Sequence, residues 1–122
     1  MIQLRTRLSI ADNSGGKLGR CIQVYNHVCP GSVFLISIRK QKTSFSSKIK
    51  LKRGDVFKAL LLRIKKPIHR KDGTRLNFQS NDIVLLNSKA EKMLGTRLKG
   101  AIPFEVRRKK WLKLAALSPS LL

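Results

Sequence analysis

Apolar residues at every second position, interrupted at short intervals by glycine, proline and aspartate, restrict this chain to an architecture of short β-strands. In QLRTRLSI (residues 3–10), Leu4, Thr6, Leu8 and Ile10 share one face, while Arg5, Arg7 and Ser9 share the other. ADNSGG follows with residues suited to a tight turn. RCIQVYN (20–26) sets Cys21, Gln23 and Tyr25 against Ile22 and Val24, and VFLISIRK (33–40), after the Pro30-Gly31 turn, aligns Phe34, Ile36 and Ile38. VFKALLLRIKK (56–66) is the most apolar strand and is expected at the centre; DIVLLNS (82–88) is the fifth. Between them, Asp72-Gly73 is a strong hairpin signal leading into RLNF. Five strands with short links, and no long helical pattern before residue 104, predict a mainly β fold: a small closed five-stranded barrel.

Two segments depart from the alternation. Residues 40–54 carry Lys48, Lys50, Lys52 and Arg53 among Ile49 and Leu51, and are read as a projecting β-ribbon in preference to a solvated loop. Phe45, among its serines, suits either base stacking or packing on the ribbon itself. The last third changes character after GTRLKG. Pro103 suits a helix start, and PFEVRRKKWLKLAALS is expected to form one or two short helices closing the barrel end, ended by Pro119. Val106, Trp111, Leu112 and Leu114–Leu117 would face the barrel, with Arg107, Arg108, Lys109, Lys110 and Lys113 outside. The expected organisation is one domain over 1–122, with the barrel and ribbon in 1–88 and the loop and helices in 89–122.

Charge narrows the function. Lys and Arg number 27 against six acids, a net +21, and such self-repulsion calls for a polyanionic partner. Residues 39–71 concentrate the effect, with 13 Lys or Arg and only Asp55 opposing them. No apolar run reaches the ~18–20 residues needed to cross a bilayer, and the N-terminal stretch lacks the apolar core of a secretory signal. A cationic membrane-active protein would show one broad helical apolar face, which strand periodicity does not supply. Aromatics make up 6% of the chain, too few for a base-stacking platform, so backbone and shape recognition of folded RNA or nonspecific DNA binding is favoured.

Catalysis has little basis. Asp12, Asp55, Asp72, Asp82, Glu91 and Glu105 are scattered; the spacing of Gly95 and Gly100 matches part of a phosphate-cradling loop but the required Lys-Ser/Thr pair does not follow, and Ser14-Gly15-Gly16-Lys17 lacks the preceding glycine. Cys21 and Cys29, with His27 and His69 as the other soft donors, form a weak zinc pattern and are read as partly buried reduced thiols. No metal, cofactor or enzymatic activity is expected.

Several motifs carry a resemblance. The MIQ opening and the ADNSG turn are similar to the start of the universal fourteenth large-subunit ribosomal protein family. Ala59-Leu60-Leu61-Leu62, nine residues, Asp72-Gly73, four residues, Phe78, two more, Asn81, two more, and Val84-Leu85 fill the fixed positions of that family's signature segment. GTRLKG at 95–100 and the closing ALSPSLL resemble further family elements, so the resemblance covers nearly the whole chain. It implies a barrel with a ribbon and a small helical region, in which RIKKPIHRKDGTRLNF (63–78) is the central hairpin against ribosomal RNA. The candidate rRNA contacts are Arg5, Arg7, Lys17, Arg20, Arg39, Lys40, Lys42, Lys48, Lys50, Lys52, Arg53, Arg63, Lys65, Lys66, His69, Arg70, Lys71 and Arg75.

The resemblance further implies a position at the face of the large subunit that meets the small one, supporting intersubunit bridges to small-subunit rRNA. Neighbouring large-subunit proteins and a ribosome-silencing factor are the implied protein partners. Thr96, Arg97, Lys99, Arg107, Arg108, Lys110 and Lys113 are the candidate partner-facing residues. A short NHVCPG link, EVRRKKWLK in place of the family's usual ELR, and a lysine-rich ribbon depart from bacterial relatives. They point to a mitochondrial ribosome in preference to a bacterial or plastid one, and a family start at Met1 fits synthesis inside the organelle. The competing expectation is a free basic barrel acting as an RNA chaperone or regulator.

Overall fold

The computed structural model describes residues 2–25, 28–43, 51–89, 92–107 and 110–122. The strands are β1 (Arg7–Ile10), β2 (Gly16–Val24), β3 (Val33–Gln41), β4 (Val56–Arg63), β5 (Ile68–His69), β6 (Arg75–Leu76) and β7 (Asp82–Leu85), followed by helices α1 (Phe104–Arg107) and α2 (Leu112–Leu117). Strands β1-β2-β3-β4-β7 close into a barrel. Neighbours are antiparallel except at the closing seam, where β1 runs parallel to β7 with Ser9 opposite Asp82 and Ile10 opposite Ile83. The expected five-stranded barrel is therefore present.

Alternation decides which side chains fill it. Leu8, Ile10, Cys21, Phe34, Ile36, Ile38, Ala59, Leu61, Ile83 and Leu85 form one buried cluster in the interior. The bore is tight against β2. A Cβ at Gly19 would lie 2.8 Å from the Ile36 Cδ1, so glycine there gives up side-chain packing to admit the isoleucine.

The run ALLL in β4 breaks the period of two because both of its faces are covered. Leu60, Leu62, Val84 and Leu86 point away from the interior and join Leu98, Ile102, Val106, Leu114 and Ala115 in a second cluster. Strands buried on both sides read as continuous apolar runs. The C-terminal helices therefore pack on the outer wall formed by β4 and β7, whereas the sequence led us to expect them at the barrel end. Only part of the expected helical face is used: Leu114 and Ala115 are buried, but Leu112 and Leu117 stay 59% and 48% exposed.

Other expectations shift in detail. The first strand starts at Arg7, four residues later than read, because residues 3–6 form a turn in which the Thr6 amide donates to the Gln3 carbonyl at 3.2 Å; Leu4 is left exposed. The second strand starts four residues earlier, at Gly16. The Asp72-Gly73 hairpin forms, but β5 and β6 make a separate two-stranded sheet beside the barrel, not its central hairpin. Asp72 shapes that turn by accepting from the Thr74 amide (2.9 Å) and hydroxyl (2.6 Å), bonds that hold its carboxyl below the usual range. Cys21 is fully buried and burial pushes its thiol up, while Cys29 is exposed beside the Ser32 hydroxyl, so the two are not alike. Residues 44–50 of the expected ribbon, including Phe45, Lys48 and Lys50, lie outside the described residues, as do His27, Glu91, Arg108 and Lys109. No helix among the described residues is long and apolar enough to cross a membrane.

Leu61 is completely buried in the interior. Replacing it with alanine is expected to cost about 2–5 kcal/mol through lost burial and an unfilled cavity. A thermal melt of the variant against the parent chain checks this, and an unchanged midpoint would contradict the interior position.

Candidate nucleic-acid interface

Each described carboxylate is occupied within the fold, which leaves cations to define the surface. Asp12 is fully buried; its carboxylate accepts from the Ser14 amide (3.0 Å), the Ser14 hydroxyl and the Leu85 amide (3.0 Å). Burial pushes this carboxyl above the ordinary range against the pull of those donors. Asp55 accepts from the Lys52 amide at 2.9 Å. Asp82 accepts from Arg63 Nε at 2.6 Å and from the Ser80 hydroxyl at 2.7 Å. Glu105 takes a forked pair from Arg70, at 2.8 and 3.1 Å.

Two of the cations expected on RNA therefore hold the protein together instead. Arg63 is nearly buried; besides Asp82 it donates to the carbonyls of Ala101 (3.0 Å) and Lys99 (2.9 Å), tying β4 to the segment before α1. Arg70 ties the hairpin to α1 and donates further to the Leu122 carbonyl at 2.7 Å.

The other described cations expected on RNA fall into three groups. The outer face of β1, β2 and β3 carries a hollow of about 420 Å³ lined by Arg7, Leu18, Arg20, Arg39, Lys40 and Arg53, with no acid in its walls. Arg7 and Arg20 are direct cross-strand partners. Like charges placed opposite each other on a sheet are destabilising, so this face gains most from an anion lying across it. Arg5 sits at its margin, with its carbonyl accepting from Arg20 Nε at 3.3 Å. On the hairpin and its approach, Lys65, Lys66, His69, Lys71 and Arg75 are exposed around the inward-turned Arg70, and Lys52 is exposed in the turn before β4.

A third group surrounds the ADNSGG turn. The Lys42 amide donates to Gly15 and the Lys99 amide to Ala11, both at 2.9 Å, and Lys17 opens β2 beside them. Burial, and then the adjoining Lys99, push the Lys42 amine down. The same turn holds the glycine-threonine-arginine loop. Asn13 Oδ1 accepts from the amides of Thr96 (2.7 Å) and Arg97 (3.1 Å), while Asn13 Nδ2 donates to the Thr96 hydroxyl at 2.8 Å. Gly95 permits this approach: a Cβ there would lie 2.7 Å from Asn13 Oδ1 and 3.0 Å from the Asp12 Cβ. The Asn13 clamp escapes sequence reasoning because it joins residues 83 positions apart, and a single chain carries no local signal for such a pair.

Of the residues expected to meet protein partners, Lys110 and Lys113 line a second hollow. Lys92, Met93, Gly95, Lys110, Trp111, Leu112, Lys113, Leu114 and Leu117 line a groove of about 580 Å³ between the loop and α2. Thr96 and Arg97 are exposed and follow Gly95 in sequence but do not line it, and neither does Arg107, whose guanidinium lies over the Phe104 ring. Met93, Trp111 and the exposed Leu112 and Leu117 make the groove apolar, which charge-based reading did not anticipate. Among the described residues no group of His, Cys, Asp or Glu is arranged to hold a metal ion.

A family model described as ribosomal protein L14p/L23e matches residues 1–122. The two motifs in physical contact through Asn13, ADNSG and GTR, both fall within it.

Asn13→Ala removes three hydrogen bonds to the 95–97 loop without opening the core. Loss of buried or half-buried bonds of this kind costs about 1–3 kcal/mol. The expected outcome is faster amide hydrogen exchange at Thr96 and Arg97 with little change at Leu61. Unchanged exchange at both loop amides would show that the loop is held by other contacts.

Proposed function

The chain belongs to the ribosomal protein L14p/L23e family, and from that membership we propose that it is held in the large ribosomal subunit by phosphate contacts of its β1–β3 arginine face and its hairpin. The family consists of structural ribosomal proteins, so this is a large-subunit ribosomal protein and not an enzyme. The single observation supporting the RNA-binding face is the opposition of Arg7 and Arg20, joined by Arg39, Lys40 and Arg53 around a hollow without an acid. Guanidinium groups suit this role because their planar fork pairs two phosphate oxygens at once. Lys52, Lys65, Lys66, His69, Lys71 and Arg75 on the hairpin and its approach, together with Arg5, Lys17 and Lys42, supply further cations in this reading.

The groove beside α2 has different chemistry and a different role in this reading. The groove between the glycine-threonine-arginine loop and α2 combines apolar walls with Lys92, Lys110 and Lys113 at its rim. That combination suits neighbouring large-subunit proteins, contacts to the small subunit across the interface, and docking of a silencing factor with an acidic and apolar face. Thr96, Arg97 and Lys99 contribute to it, held in position by Asn13 and the Ala11 carbonyl. The basic EVRRKKWLK segment and the net charge of +21 fit a mitochondrial ribosome, whose divergent RNA this chain would serve.

Sedimentation of a lysate through a sucrose gradient tests membership of the particle. The chain is expected with the large subunit and with whole ribosomes at moderate salt; recovery only at the top of the gradient would favour a free RNA-binding protein. The face itself is tested by replacing Arg7, Arg20 and Arg39 with glutamine. Loss of about three phosphate contacts should shrink the log–log slope of rRNA affinity against salt by about two to three units. Arg63→Gln supplies the contrast. It should leave that slope unchanged while lowering stability by about 3–5 kcal/mol, because Asp82 loses its buried partner. A slope unaffected by the triple change would remove the β1–β3 face from the interface.

A further inference from the structure

The ADNSGG turn gathers three lysines from distant parts of the chain. Lys42, just past the end of β3, is fixed by its amide on the Gly15 carbonyl at 2.9 Å, and Lys99 by its amide on the Ala11 carbonyl, also at 2.9 Å. Arg63 Nη2 holds the Lys99 carbonyl at 2.9 Å. Lys17 is the extra residue of β2 between the Gly16–Gln41 and Leu18–Lys40 pairs, an irregularity of the kind that re-aims a side chain. The Lys42 amine lies in hydrogen-bond contact with the Lys99 amine, and Lys17 is close enough to act on it through its charge. An ammonium group has donors and no acceptor, so two of them in contact have nothing to share. Burial first, and then this contact, push the Lys42 amine down. Asp12 offsets part of the charge. It is one carboxylate against three amines, however, and it is buried with its oxygens engaged by Ser14 and the Leu85 amide.

We propose that Lys17, Lys42 and Lys99 together hold one backbone phosphate of the rRNA, and that this phosphate clasps the glycine-threonine-arginine segment to the barrel. This rests on the reading of the chain as an rRNA-bound protein. The surroundings select the occupant. Among the described residues, none of the exposed large apolar side chains falls within 11–17, 41–43 or 95–100, so the site offers no apolar wall, unlike the groove beside α2. Three point-like ammonium groups arriving from three segments suit a tetrahedral phosphate, whose unesterified oxygens accept several donors at once. A planar carboxylate from a neighbouring protein is better matched by a guanidinium fork. The phosphate also supplies the acceptor that the Lys42 and Lys99 amines do not offer each other. Its effect reaches beyond affinity. Lys17 and Lys42 belong to the barrel, whereas Lys99 lies two residues after Arg97, in the segment that Asn13 holds at Thr96 and Arg97. RNA contact at the turn thereby stiffens the loop.

The test uses the full chain and a large-subunit rRNA fragment. With one shared phosphate, replacing all three lysines by glutamine should lower the log–log slope of affinity against salt by about one unit. A loss of about two or three units would mean separate phosphates. An unchanged slope would leave the cluster to a protein carboxylate or to solvent, and either result overturns the proposal. The glutamine replacement of Arg7, Arg20 and Arg39 separates this site from the wider reading. If that change lowers the slope and the lysine change does not, the shared site alone fails; a parent chain with no salt-dependent rRNA binding would end both. Hydrogen exchange tests the clasp. Saturating rRNA fragment is expected to slow exchange at the Thr96, Arg97 and Lys99 amides of the parent chain. In a chain carrying Lys17→Gln and Lys42→Gln, whose loop is untouched, these amides should return to the rates of the RNA-free chain. Slowing that survives the loss of both barrel lysines would show that RNA covers the loop directly, and no slowing in the parent would show that no clasp forms. Both outcomes overturn the proposal.

Discussion

The seam between β1 and β7 is the constraint on which the rest of this structure depends. A five-stranded sheet left open would expose two rows of unpaired backbone groups and an apolar face. Closure is made by the parallel pairing of Ser9 and Ile10 with Asp82 and Ile83, extended by the Ala11 amide donating to the Ile83 carbonyl at 2.9 Å. Where this main-chain pairing stops, a side chain continues it: the Asp12 carboxylate accepts the Leu85 amide. Burying a carboxylate is costly unless hydrogen bonds compensate, and the two Ser14 donors complete that compensation. The turn so fixed presents Asn13 to the glycine-threonine-arginine loop. One buried acid thus connects barrel closure to the placement of a surface element.

The scarcity of acids gives each of them a large structural effect. Two arginines on or beside the most apolar strand are drawn inward by Asp82 and Glu105, and each anchors a different part of the C-terminal region. Breaking a buried pair by removing one partner is expensive, so Arg63, paired with the buried Asp82, cannot be exchanged for a surface lysine without loss. The remaining positive charge has no internal counterpart. The same division of labour explains the character of the surface: it is cationic because the fold has already used its carboxylates.

Much of the barrel was legible in the sequence because alternation is a local property. Phe34, Ile36 and Ile38 fall inside as their spacing requires, and the hairpin turn at Asp72-Gly73 follows from local chemistry. Residues 3–6 mislead because their apparent alternation continues through a turn closed by Gln3 and Thr6. The course of the helices was not legible. Leu60 and Leu62 show only that β4 is covered on both sides, and the identity of the cover is decided by contacts with residues 98–115. Charge identified the cations but not their orientation, so Arg63 and Arg70 looked the same as Arg7 and Arg20. Telling them apart requires the positions of Asp82 and Glu105 in space.

The order in which these pieces leave a ribosome has its own consequence. β1 is made first, yet its parallel partner β7 lies more than 70 residues later, and the loop grasped by Asn13 later still. At about 5–20 residues per second of synthesis, the first strand waits for several seconds with one edge unpaired. Contacts of such long sequence separation also slow folding once the chain is complete. A growing chain with many arginines and an open edge is most exposed to wrong partners during that interval. The barrel therefore places its greatest hazard in the period before release, and closure of the seam ends it.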